Sequence, residues 1–573
     1  MVLVPRILQS VLLSSLSLPW HQARRDHQPV VTITNGTLVG HRNPNYDQDF
    51  FLGIPYAQPP VGDLRYNHPK PINASWDTPK HATSYGFWCH SAPLSLPGFS
   101  QDGFPHEESE DCLTLNVVRP SGIDSNAKLP VLVYIYGGGL QEGGSADQRY
   151  NMSFIVQESV NMGLPTIGIS FNYRVSGFGF LSGRAINESG LANLGLYDQR
   201  FALHWIQENV AAFGGDPSRV TIQGESSGGL SVGYHLLAYG GRDDGLFRAA
   251  IGQSGAPLIS AALVPIGEQD AMYHAVLNAT GCDVVNDSLG CLRRAPAKLL
   301  KAAFQQQFFF PVMDGGMIAG YSSQGLKEGR FVKVPLLTGT NTNEGTGYIV
   351  SGSFGAINSP GDFKGVITGF GPGKYLSNDT LSAIVSEYLG KMSLEDVQHD
   401  LATVLITPSP KYGALYGQST LYLSDYLFNA PKRYSARMWA HHGAPVYSYR
   451  FDIVPNGILP EVLGVCHFQD VAFTFQNTLG VGFETPPLIS TDERTEERYR
   501  NASVSMSRMW LNFVNTLSPN HYLDNRTDFV WPAYQRDSAV NVVFGTEGPR
   551  LENDTWRLDA IDRIIDAFGE YKF

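Results

Sequence analysis

The stretch Arg219–Leu237 reads RVTIQGESSGGLSVGYHLL, and its glycine-rich middle decides the fold. A β-like run, Arg219–Gln223, meets Gly224, Glu225, Ser226, Ser227 and Gly228, and from Gly229 onward the chain can be helical. Strand, tight turn and helix is the context in which G-x-S-x-G becomes a nucleophile elbow. Such a turn strains the serine backbone and brings the residues two before and two after it close together, which glycine permits because it lacks Cβ. Ser226 has glycine at both places, 224 and 228, whereas Ser227 has Glu225 at the first, which would crowd the turn. Ser226 is thus the expected nucleophile. A glycine and serine loop without chemistry would satisfy the same pattern, so the turn needs partners.

Its surroundings suit an α/β sheet. Short apolar runs without alternation occur at Leu129–Tyr136, Thr166–Tyr173, Arg219–Gln223, Arg248–Ser254 and Val334–Thr340, the pattern of strands covered on both faces. Between them Asp198–Phe213 spaces Phe201, Leu203, Trp205, Ile206 and Val210 at helical intervals, and Gly214-Gly215 stops it. Strands alternating with helices predict a mostly parallel sheet with crossover connections. Ser351–Gly373, rich in Gly and Pro, reads as a long surface excursion.

Composition narrows the class. The 573 residues are 43% hydrophobic and 16% charged, with a formal net charge of -12 and no block of Lys or Arg, which argues against nucleic acid or an anionic membrane as partner. Arg6 precedes an apolar stretch, Ile7–Leu18, placed where a secretory signal belongs and too short to span a bilayer, so residues 1–20 are expected to be a signal peptide. No later run reaches the length of a membrane helix, and no stable membrane anchor is expected. Ten N-x-S/T sequons, at Asn35, Asn73, Asn151, Asn187, Asn278, Asn286, Asn378, Asn501, Asn525 and Asn553, favour a secreted glycoprotein. The five cysteines match no zinc pattern, and their spacing suggests Cys282 with Cys291, Cys89 with Cys112, and Cys466 left over.

A serine elbow requires oxyanion donors, a base and an orienting carboxylate. Gly137-Gly138-Gly139 directly follows the run VLVYIY, and its flexible backbone can aim consecutive amides at one point. Fifteen histidines leave the base open; His204 and His235 sit on apolar helical faces and read as core residues. Glu344, in GTNTNEGT after a strand-like run, and His467, in LGVCHFQDVAF after VYSYRF, are placed where α/β sheets carry their sites. Spacing alone does not select them.

Further segments do. FLGIPYAQPPVGDLRY (Phe51–Tyr66), SEDCLTLNVVRP (Ser109–Pro120), YIYGGG (Tyr134–Gly139), NLGLYDQRFALHWIQENVAAFGGDPSRVTIQGESSGG (Asn193–Gly229), FRAAIGQSG (Phe247–Gly255), PVMDG (Pro311–Gly315), VPLLTGTNTNEGT (Val334–Thr346), LGVCHFQD (Leu463–Asp470) and WPAY (Trp531–Tyr534) run in a fixed order. On these the chain resembles the type B carboxylesterase, fungal lipase and cholinesterase family of α/β-hydrolases. The resemblance implies one α/β-hydrolase domain from about residue 30 to residue 568 and carries over Ser226 as nucleophile, Glu344 as acid and His467 as general base. It implies an oxyanion hole from the amides of Gly138, Gly139 and Ser227, a supporting Ser254 behind the triad, and the same two disulfides. No metal or cofactor is implied.

Three positions depart from the family pattern: Ser227 replaces the usual alanine, Leu140 stands where many members have Phe, and Cys466 precedes His467. Because the hole uses the main-chain amide of Ser227, its side chain is expected to be incidental. Cys466 reads as a small buried hydrophobe. The implied activity is two-step acyl transfer on a small-molecule ester. The 22 residues between Cys89 and Cys112 correspond to the region that covers the gorge in cholinesterases and forms the lid in fungal lipases; with few large aliphatics, they favour small or medium esters over long-chain acylglycerols. They also lack the tryptophan that holds choline in cholinesterases, Phe99 and Phe104 being the only aromatics. Phe308-Phe309-Phe310 is open to two readings, an acyl pocket or a core cluster. The family also contains catalytically silent adhesion proteins, which typically lose the serine that is present here.

Overall fold

The structure is a computed structural model and describes residues 28–99, 105–255, 257–258, 263–305, 307–352, 354–520 and 529–573. The expected signal segment, Phe104 and the Asn525 sequon lie outside the described residues. An eleven-stranded sheet organises the chain. Its strands are β1 (His41–Asn43), β2 (Gln48–Pro55), β3 (Thr114–Pro120), β4 (Leu129–Ile135), β5 (Ile167–Phe171), β6 (Gly215–Glu225), β7 (Ala249–Gln253), β8 (Leu336–Asn341), β9 (Val446–Phe451), β10 (Val540–Gly545) and β11 (Gly548–Asn553). They lie in the order 11-10-9-8-7-6-4-5-3-2-1. A separate three-stranded sheet joins Val30–Ile33, Gly36–Val39 and Trp76–His81.

The five apolar runs become β4 to β8, and all pair in parallel. β4, β5, β7 and β8 are buried at every position, as a sheet covered on both faces demands. Antiparallel pairs close the two flanks, β1 to β3 with β5 on one side and β10 with β11 on the other. In the centre Ile222 of β6 sits between Val133 and Ala250, and Gly224 sits between Ile135 and Gly252. This register brings the C-terminal ends of β4, β6, β7 and β8 together, the edge at which open α/β sheets bind ligands.

Helices cover both faces. The predicted amphipathic helix is α1 (Leu194–Asn209), extended by a 3-10 turn, Val210–Phe213, and ended by Gly214 at φ 86°. It buries Leu196, Leu203 and Ile206 completely; each such side chain contributes about 1.5–3 kcal/mol. α2 (Ser227–Gly241) starts directly at the elbow and packs on β6 and β7, α3 (Ala430–His441) covers β8 and β9, and α4 (Glu493–Thr516) runs across β4, β6 and β10. Ser351–Gly373 is not plain excursion. Ser359 caps a helix, Pro360–Gly369, through a reciprocal pair of bonds with Asp362, which a Gly- and Pro-based reading passes over.

The C-terminal edge is tied to α3 by a buried charge cluster. Asp554 accepts from Arg433 Nη2 at 2.9 Å, Tyr534 Oη at 2.9 Å and Asn541 Nδ2 at 3.1 Å, and Lys432 Nζ lies 3.5 Å away. Burial works against the carboxylate, but Lys432 and Arg433 outweigh it and hold the group well below the usual carboxylate range. Asp554→Asn would leave two buried cations without their counter-charge. A loss of about 3–5 kcal/mol is expected, measured as denaturant unfolding at neutral pH; a variant as stable as the parent would show that the cluster is neutral in energy.

Candidate active site

The elbow forms as the glycine spacing predicts. Ser226 has φ 57° and ψ -126°, a strained conformation for a residue with a side chain, and it stands between the end of β6 and the first turn of α2. A Cβ on Gly224 would overlap the backbone of Gly228, and one on Gly228 would overlap the carbonyl of Ile135. Both flanking positions therefore admit only glycine.

The loop after β4 meets the elbow just as closely. A Cβ on Gly137 would lie 3.0 Å from Ser226 Cβ. Gly138, Gly139 and Leu140 follow at φ 104°, 63° and 61°, three successive left-handed residues. Among the described residues no backbone hydrogen bond outside the helices and strands has the amide of Gly138, Gly139 or Ser227 as its donor. Gln141 anchors the far end: its Nε2 donates to the Phe309 carbonyl at 2.6 Å, and its Oε1 accepts from the Phe309 amide at 3.2 Å. Of the Phe308–Phe310 run, Phe309 is fully buried against Phe304 and Phe308 is exposed, so its middle ring belongs to the core.

Glu344 and His467, 123 residues apart in sequence, meet behind the elbow. His467 Nδ1 lies 2.6 Å from Glu344 Oε2. The other oxygen of Glu344 accepts from the Asn341 amide at 2.7 Å and from Ser254 Oγ at 2.5 Å, which places Ser254 behind the pair. Asn341 Nδ2 donates to the Cys466 carbonyl at 2.8 Å, and Asn343 Oδ1 accepts from Val465 N at 3.0 Å, so the loops after β8 and β9 are tied together. The rings of Phe428 and Tyr348 pack beside the imidazole at 4.8 and 5.8 Å. His467 Nε2 is buried and makes no hydrogen bond among the described residues; Ser226 is not joined to it in this arrangement.

Nε2 instead faces Glu225, whose Oε1 is 3.4 Å away. The sequence reading assigned Glu225 no part beyond crowding the turn. It is a fully buried carboxyl with neither oxygen hydrogen-bonded among the described residues, and burial pushes it up to about 8. Asp470, held by Gln253 Nε2 at 2.9 Å and Tyr449 Oη at 2.8 Å, is raised to about 6 by burial. For His467 burial pulls the other way, toward the neutral ring, but Glu225, then Glu344 and Asp470, outweigh it and raise the imidazole. The signal available in the sequence is a carboxylate next to Ser226, where side-chain direction is fixed only by the strained turn.

The remaining predicted positions are placed as follows. Cys89–Cys112 and Cys282–Cys291 are disulfide-bonded. Cys466 is buried and free, and burial pushes its thiol up to about 12, which keeps it neutral. Six sequon asparagines, Asn73, Asn278, Asn286, Asn378, Asn501 and Asn553, are exposed. Asn35, Asn151 and Asn187 are half-buried, with their side chains engaged in hydrogen bonds to Ile72 and Ala74, to Ser153, and to Gln269.

Comparison with known proteins identifies the family. The model of the carboxylesterase family matches residues 27–554. The chain belongs to that family. "Secreted lipase 1" of Botryotinia fuckeliana is 36% identical over 97% of each chain, and "Lipase 1" of Geotrichum candidum is 34% identical over 91% of this chain and 93% of its own. "Lipase 4" of Diutina rugosa is 40% identical over 56% of this chain, a match that spans 63% of the lipase. Among solved structures, Aspergillus niger EstA superposes with a TM-score of 0.80 at 28% identity, covering 96% of this carboxylesterase-family chain and all of EstA. The fold is that of an α/β-hydrolase, and the protein is an ester hydrolase.

Proposed function

We propose that this carboxylesterase-family protein hydrolyses esters through an acyl-enzyme on Ser226. In this mechanism His467 takes the Ser226 proton as the hydroxyl oxygen attacks the ester carbonyl, and the amides of Gly138, Gly139 and Ser227 hold the oxyanion. The tetrahedral adduct collapses, the proton passes from His467 to the departing alcohol, and water then repeats the sequence to release the acid. Glu344 keeps Nδ1 protonated and stabilises the imidazolium. The observation that carries this reading is the Nδ1–Glu344 contact of 2.6 Å beside a strained serine at φ 57°. The Ser226–His467 bond is formed in the substrate complex; catalytic hydrogen bonds tighten at that stage in many enzymes.

The substrate reading shifts toward apolar acyl chains. The aliphatic residues of the loop between Cys89 and Cys112 are few, but they lie inward: Leu94 reaches within 3.3 Å of a Cβ built on Gly139, and Leu96 within 3.3 Å of one built on Gly347. With Phe428 and Tyr348 they give the site an apolar wall. The relatives named as lipases, one of them a secreted triacylglycerol lipase of Gibberella zeae, point the same way, toward acylglycerols rather than the small esters suggested by the loop composition. An extracellular location is supported by the two disulfides and by a relative named as secreted; no helix among the described residues is long and apolar enough to cross a membrane.

The purified protein is expected to react with a fluorophosphonate probe and to cleave triolein emulsion, with rates on soluble p-nitrophenyl esters rising from acetyl toward longer chains. A peak at acetyl or butyryl with no triolein cleavage would restore the small-ester reading. No labelling at all would remove the serine mechanism and leave the fold as a binding module.

A further inference from the structure

Ser227 does more than supply an amide. Its side-chain Oγ accepts a hydrogen bond from the backbone N–H of Leu140 at 3.0 Å, and the pair is buried. Leu140 is the last residue of the left-handed run, at φ 61°, and unlike the two glycines before it carries a Cβ that makes this conformation costly. A residue held there needs outside constraint. Two bonds from different elements provide it: Ser227 Oγ takes the Leu140 N–H, and the amide of Ser176 donates to the Leu140 carbonyl at 2.7 Å.

Ser227 is itself well anchored. Its carbonyl accepts from Ser231 Oγ at 2.9 Å, Ser231 accepts from Gln199 Nε2 at 3.0 Å, and Gln199 Oε1 lies 3.0 Å from His235 Nε2. His235, kept neutral by burial, can donate to that oxygen. The loop after β4 is thus pinned to a chain of side chains that joins α1 to α2. Three glycines have no intrinsic preference for one set of amide directions, and Leu140 by itself disfavours the left-handed conformation it holds, so the direction must come from such contacts.

We propose that the Ser227 hydroxyl is a positioning group for the oxyanion hole, holding Leu140 and through it the amides of Gly138 and Gly139 on the point where the substrate oxyanion develops. The inference rests on the acyl-enzyme reading above. It reverses the expectation that this side chain is incidental. Alanine at 227 leaves the Leu140 amide buried without its acceptor, an arrangement that either strands a polar group or lets the loop turn.

The test is Ser227→Ala, an exchange to the residue usual at this place in the family the chain resembles and therefore compatible with folding. Active enzyme is counted by fluorophosphonate titration, and kcat, KM, the inhibition constant of a trifluoromethyl ketone that forms a tetrahedral adduct, and the unfolding midpoint are measured for both proteins. The expected result is a fall in kcat of about tenfold with KM within about twofold, and a matching loss of affinity for the ketone. The unfolding midpoint should stay close to that of the parent. Unchanged kcat and ketone affinity would overturn the proposal, as would a loss of kcat with ketone affinity intact or a loss explained by a lowered midpoint. If the parent itself fails to react with fluorophosphonate, it is the acyl-enzyme reading that falls.

Discussion

Ser226→Ala is expected to lower kcat by about 10⁶ with little change in KM, and to abolish fluorophosphonate labelling. The size follows from what remains. With no attacking oxygen, His467 has no proton to take, and the oxyanion amides can polarise the ester carbonyl only for attack by adventitious water. Groups that act as a unit lose nearly their whole effect when one is removed. The fold should persist, because Gly224 and Gly228 still close the turn and the Ser226 amide still donates to the Gln253 carbonyl at 2.9 Å. Single-turnover kinetics on a p-nitrophenyl ester, with circular dichroism to verify folding, read the two effects separately. Activity within a factor of ten of the parent would mean that another nucleophile carries the reaction. Ser227→Ala provides the contrast, since it keeps Ser226 and removes only the hydroxyl that accepts from the Leu140 amide.

How much of this was legible in the sequence depends on the range of the interaction concerned. The parallel centre was, because strands covered on both faces read as near-continuous apolar runs, and the middle of each strand from β4 to β8 lies in such a run, although β6, β7 and β8 end in buried polar residues at the site. The antiparallel flank was not singled out: β2 and β3 include Gln48, Asp49, Asn116 and Arg119, buried polar residues that interrupt the apolar pattern. They are accommodated by bonds to distant segments, such as Gln48 Nε2 to the Ser153 carbonyl at 2.9 Å and Arg119 Nη1 to the Phe213 carbonyl at 2.8 Å. The same division holds at the site. Ser226 follows from a steric rule that spans five residues, whereas Glu344 and His467, 123 residues apart, are brought together only by the fold and are singled out by the resemblance. Ser227 shows the limit of both routes. Treating it as a substitute for alanine hid its hydroxyl, whose partner lies 87 residues earlier in the chain and is a backbone amide that has no sequence signature.

Glu344→Gln should cost about 10⁴ in kcat while leaving the positions of Ser226 and His467 almost unchanged. A carboxylate can only accept, which fixes the proton on Nδ1 and leaves Nε2 free to take the proton of Ser226. A glutamine amide can donate to Nδ1, and the ring then carries its proton on Nε2, the wrong side for a base. The variant also loses a charge that Asn341 N–H and Ser254 O–H now stabilise together at 2.7 and 2.5 Å. Its pH profile should move as well. His467 is raised by its carboxylate neighbours, so in the parent kcat/KM climbs only as pH passes the elevated imidazolium pKa, and the base is lost as pH falls below it. Removing the Glu344 charge lowers that pKa, so the residual activity of Glu344→Gln should persist further into acid than the parent's does. Glu225→Gln separates the two effects, because Glu225 is the largest of the charges that raise His467 and has no contact with Nδ1. It should shift the acid limb of kcat/KM in the same direction without the tautomer penalty. A Glu225→Gln profile that keeps its acid limb, or moves it toward higher pH, would show that Glu225 is neutral throughout the working range and that Glu344 alone sets the basicity of His467.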